Sequence, residues 1–134
     1  MKNLLLIVAL ATSFQLSAHA TPIQPGLFIT QNSSAAPTFS FLRGHKQGNS
    51  GYALQWSMST TTGIDHYEIQ STYEDPTDIY SNWTNEGSVQ GTRANINKFT
   101  HNSVLPGFIS YRVIAVLSNG GPAVVSDIYS TVID

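Results

Sequence analysis

From Thr38 onward the chain alternates apolar and polar positions in short segments separated by turn residues. In "YALQWSMS", Tyr52, Leu54, Trp56 and Met58 share one face. In "DHYEIQST", Tyr67 and Ile69 face one way, and His66, Glu68 and Gln70 the other. The longest such segment runs from Phe108 to Leu117; it places Tyr111, Val113 and Ala115 on one face and Arg112, Ile114 and Val116 on the opposite one. "TFSFLR" and "PAVVSDIYSTVI" read as the first and last strands, while "IYSNWTNEGSV" and "TRANINKF" are weaker ones. "GHKQGNSG", "TTTG", "YEDPTD" and Asn119-Gly120-Gly121 supply turns between them. Beyond the N-terminal segment no window sustains a helical period. About seven short strands with turns between them predict an all-β, antiparallel sandwich.

The first 20 residues carry a different pattern. Lys2 precedes an apolar run from Leu4 to Leu16, and Ala18-His19-Ala20 supplies a small-x-small cleavage pattern. This predicts a signal peptide over 1–20, cleaved after Ala20, and hence a secreted or periplasmic protein. Residues 21–36 contain prolines and a polar cluster and read as a leader, with a short strand at Leu27–Thr30; the domain proper is expected over 37–134. No second stretch of spanning length follows, and the chain ends directly after the last strand, so no anchor is expected.

At the landmarks Leu54-Gln55-Trp56, "IDHYEIQST", "NWTNEGSV", "LPG" and "YRVIAV…NGG…VSDI", the chain resembles a fibronectin type III domain of the kind found in bacterial secreted proteins. The resemblance covers roughly 37–134. It implies an immunoglobulin-like sandwich of seven strands, A-B-E packed on C'-C-F-G, with Trp56, Tyr67, Ile69, Tyr111, Val113 and Ala115 in the core. One position departs from the family pattern: Ile109 stands where a tyrosine ordinarily ties the E–F corner to the backbone. Either Tyr111 takes that role or the corner bond is missing.

Composition narrows the chemistry. There is no cysteine, which removes disulfides and thiolate metal sites. The formal net charge is −2, and the basic residues past the leader (Arg43, Lys46, Arg93, Lys98, Arg112) are scattered, so neither nucleic acid nor an anionic membrane is an expected partner.

Candidate sites are few. His45, His66 and His101 form no H-x-H or H-E-x-x-H pair, and His66 beside Glu68 reads as a solvated strand face. Glu74, Asp75 and Asp78 fit a solvated turn better than a calcium loop, and Asp65 reads as a turn residue. Arg43-Gly44-His45 lacks the carboxylate of an adhesion tripeptide. Asn32-Ser33-Ser34 and Asn82-Trp83-Thr84 match the short glycosylation pattern. No G-x-S-x-G elbow is present, and a small sandwich is expected to offer little concave volume.

The sequence therefore predicts a non-catalytic binding or adhesion module, without cofactor or metal, for an extracellular protein or glycan. A self-associating structural spacer is the alternative. The outward residues Arg112, Ile114, Val116, His66, Glu68 and Gln70 are the expected contact patch, flanked by loops 60–63, 74–78 and 118–121. Trp83 and Tyr80 are candidate sugar platforms, with Trp83 expected to pack inward.

Overall fold

The computed structural model describes residues 35–134, so the expected signal peptide, most of the leader and its short strand lie outside the described residues. Eight strands follow in order: β1 (Phe39–Gln47), β2 (Gly51–Met58), β3 (Ile64–Thr72), β4 (Thr84–Gln90), β5 (Asn97–His101), β6 (Gly107–Leu117), β7 (Val124–Val125) and β8 (Tyr129–Ile133). One antiparallel sheet has the order β1-β2-β5; the other runs β4-β3-β6, with β7 and β8 both pairing with β6. This is the expected connectivity of an all-β, immunoglobulin-like sandwich.

The core follows from the alternation. Tyr52, Leu54, Trp56 and Met58 of β2 meet Tyr67, Ile69, Ile109, Tyr111, Val113 and Ala115 of β3 and β6 in one apolar cluster. Trp56 and Tyr67 pack edge to face at 5.3 Å between ring centroids, within the range where aromatic pairs attract. Gly87 allows the β5 ring to close on β4: a Cβ there would fall 2.8 Å from Phe99.

Four details differ from the sequence reading. First, the last segment is two strands, because the ladder breaks at Ser126: its amide still donates to the Val113 carbonyl at 2.9 Å, but its hydroxyl accepts from Val113 N at 2.9 Å and donates to the Asp127 carbonyl at 2.8 Å. Second, β1 runs through Gly44-His45-Lys46 and the turn is confined to 48–50.

Third, the 102–106 corner is tied by neither Ile109 nor Tyr111. Ile109 is a core residue, and the Tyr111 hydroxyl lies 3.0 Å from His101 Nδ1. Tyr73, just past β3, holds the corner instead: its hydroxyl accepts from Leu105 N at 3.0 Å and donates to the Leu105 carbonyl at 3.2 Å.

Fourth, Trp83 lies on the outer face. Val89 and Gly87 oppose Tyr67 and Ile69, yet Asn85 opposes Gln70, leaving Glu86 as an extra residue. Unbroken alternation from Val89 would carry Trp83 inward. The bulge reverses the parity and turns the indole out.

Candidate functional site

Antiparallel pairing of β3 with β6 sets Gln70 opposite Arg112, Glu68 opposite Ile114 and His66 opposite Val116. The six expected contact residues thus form three cross-strand pairs on the outer face of the larger sheet. They are not an exposed patch, since all six are half-buried. His66, Glu68, Ile114 and Val116 continue along the two strands away from the pair of Gln70 and Arg112. Gln70 and Arg112 instead floor a cleft of about 480 Å³ whose wall is the 76–83 segment.

Residues without periodicity build that wall through side-chain bonds to the backbone. Asp75 Oδ1 accepts from the Thr77 amide at 2.9 Å and from its hydroxyl at 2.7 Å. Asp78 Oδ1 accepts from Tyr80 N at 2.9 Å, and Glu74 Oε2 from Asn82 N at 2.7 Å. Bonds from Asn82 hold the Glu74 carboxyl below its ordinary pKa, and bonds from Thr77 do the same for Asp75. The acidic cluster is therefore a set of loop clamps. It fixes Ile79, which lines the cleft, and its neighbour Tyr80 with 87% and 83% of their surface exposed.

Arg112 is the fixed point of the floor. Its Nε donates to Gln70 Oε1 at 2.8 Å, and its guanidinium carbon lies 4.1 Å from the centroid of the Trp83 ring. A planar cation on an indole face, with one donor anchored, keeps little rotational freedom. Burial lowers its pKa somewhat from the usual arginine value.

Two histidine clusters lie apart from the cleft. His66 Nδ1 is 2.6 Å from Asp65 Oδ2 and its Nε2 is 3.6 Å from Glu68 Oε1. The hydrogen bond with Asp65 raises the imidazole pKa above 6.5, with Glu68 adding to it. Asp65 thus clamps this ring rather than serving as the turn residue expected.

Between the sheets, Tyr111 hydroxyl, His101 and Glu86 form a chain, with His101 Nε2 to Glu86 Oε2 at 3.1 Å and Ser71 Oγ donating to Glu86 Oε1 at 2.5 Å. Burial raises the Tyr111 phenol well above its ordinary pKa, so it keeps its proton. Among the described residues no three of His, Asp and Glu stand close enough together to hold a metal ion.

The cleft was partly legible in the sequence. Arg112, Gln70 and the 74–78 loop were singled out, and Tyr80 and Trp83 were named as platforms. Ile79 and Ser81 carry no signal in the sequence, Asn82 stands out only as a glycosylation pattern, and Trp83 faces outward where the alternation predicts an inward residue. The missing signal was the register break at Glu86.

No family model matches the chain, and no curated relative does. Solved structures do. AA10A from T. fusca matches 64% of this chain and 50% of its own length at 12% identity, with a TM-score of 0.48. An AA10 lytic polysaccharide monooxygenase from Streptomyces lividans matches 66% of this chain and 57% of its own, at 12% identity and a TM-score of 0.49. The PmoD soluble domain from Methylocystis sp. gives 64% and 74%, at 10% identity and 0.42. The chain spans little more than half the length of the two AA10 proteins, and at these identities the likeness is one of fold.

The cleft corrects two expectations. The expectation of a non-catalytic module, or of a structural spacer, rests partly on a small sandwich lacking concave volume, and the cleft removes that premise. Absence of catalysis is therefore no longer the expectation.

Proposed function

We propose that this protein engages a polysaccharide outside the cytoplasm, with the cleft over Gln70, Trp83 and Arg112 as the contact surface. The observation that carries this is the composition of the cleft. A hydrogen-bonded loop presents Ile79 beside Thr77, Asp78, Ser81 and Asn82, above a stacked guanidinium, and leaves Tyr80 exposed next to the cleft. Sugars offer apolar ring faces and many hydroxyls, and they call for exposed apolar or aromatic side chains next to amide, hydroxyl and carboxylate partners.

The expected signal peptide supports delivery outside the cytoplasm, and among the described residues no helix is long and apolar enough to cross a membrane. The strand order and the landmarks in β2, β3 and β6 support a fibronectin type III-type sandwich over 37–134.

Co-sedimentation with a panel of insoluble and soluble polysaccharides tests the reading, with Tyr80→Ala as the comparison. Retention on at least one polymer, weakened by the substitution while the unfolding midpoint is unchanged, is expected. Absence of retention on every polymer sinks it. Mass spectrometry of the soluble fraction reads chain cleavage in the same tubes.

A further inference from the structure

The guanidinium of Arg112 has five N–H donors, and among the described residues only its Nε has an acceptor, Gln70 Oε1. No carboxylate of the described residues lies within ion-pair distance of it. The acidic side chains nearby are engaged elsewhere: Glu74 with Asn82, Asp75 with Thr77, and Asp78 Oδ1 with Tyr80 N. The outer fork of the cation therefore lines the cleft with neither counter-charge nor hydrogen-bond partner among the described residues. Stacking on Trp83 and the bond to Gln70 hold that fork in one plane, the geometry that meets a carboxylate through two parallel bonds.

Building on the polysaccharide reading, we propose that the cleft selects a sugar carrying a carboxylate, a uronic acid residue of an acidic polysaccharide, with Arg112 receiving the carboxylate. The remaining walls suit the rest of such a ring. The second carboxylate oxygen of Asp78 and the Thr77 and Ser81 hydroxyl oxygens, whose protons go to Asp75, are left to accept from sugar hydroxyls, and Ile79 lies against the apolar face. Asp78 in the wall, with Glu74 and Asp75 on the same loop, limits the cleft to one anionic group at a time. One carboxylate per ring among several hydroxyls balances one cation against that acidic rim. A neutral sugar would leave the half-buried guanidinium without a counter-ion.

Isothermal titration of the purified protein against polygalacturonate and alginate, each compared with its methyl-esterified form, tests this. Esterification removes the charge and keeps the hydroxyls. The acid polymers should bind, and esterification should weaken binding by about tenfold or more. Arg112→Gln should bring the acid form down to the ester's affinity, with the unfolding midpoint showing that the fold persists. Should Arg112→Gln fail to fold, the acid-against-ester comparison on the unaltered protein still decides. Equal affinity for acid and ester overturns the selectivity while leaving a polysaccharide partner in place. Failure of every polymer, neutral ones included, overturns both. Arg112-dependent binding of an acidic peptide in place of any polymer also overturns the proposal.

Discussion

Tyr73 shows how much one hydroxyl can organise. It lies past the end of β3 and is 45% exposed, yet it bonds both the amide and the carbonyl of Leu105. Tyr73→Phe is expected to cost about 1–2 kcal/mol of unfolding free energy in denaturant titration. The matching signature is faster amide exchange of Leu105, with the core strands unaffected.

At His66 the sign of the pKa shift fixes a pH dependence. The carboxylates of Asp65 and Glu68 raise the folded-state pKa, so the folded protein favours the protonated ring. The resulting stabilisation is present below the unfolded value of about 6.5 and is lost as pH rises through the folded pKa. An NMR titration should place His66 above 6.5, and Asp65→Asn should lower it. A His66 pKa at or below 6.5 in the unaltered protein would contradict the contact.

At the level of elements, β4 decides where the site can be. One extra residue, Glu86, sends Trp83 outward to stack on Arg112 and itself inward to meet Ser71 and His101. Deleting Glu86 would restore strict alternation and remove the stack. The Arg112 Nε–H resonance, shifted by the indole ring in the native protein, should then move toward its ordinary position. The bulge also leaves Gly87 against Phe99, so Gly87→Val should destabilise the sandwich by about 1–3 kcal/mol through overpacking.

How much the sequence revealed follows the same division. β2, β3 and β6 were legible because strict alternation with large apolar residues has one solution. The 73–83 loop was not, since its conformation comes from Asp, Glu, Thr, Ser and Asn bonding to nearby backbone, a pattern without period. The β4 bulge was hidden for another reason. "NWTNEGSV" reads as a continuous strand, and only its pairing with β3 shows two residues set against one.

On the scale of the whole molecule, a sandwich built from two open sheets can carry a site only on an outer face or at its loop ends. Here the 73–83 loop between β3 and β4 lies beside Gln70 and Arg112 of the outer face, and this gives the sheet its concavity. Residues 34–134 form one unit around a single core. A fragment of that span is expected to unfold in one cooperative transition, read by coincident tryptophan fluorescence and far-UV circular dichroism curves.

The central claim is that the cleft, and not the flat part of the sheet, meets the polysaccharide. The most direct measurement is an amide and side-chain NMR titration with soluble oligosaccharides of a retained polymer. The account predicts the largest changes at Gln70, Ile79 to Trp83 and the Arg112 guanidinium. Changes centred on His66, Glu68, Ile114 and Val116, with the cleft resonances unmoved, would contradict it.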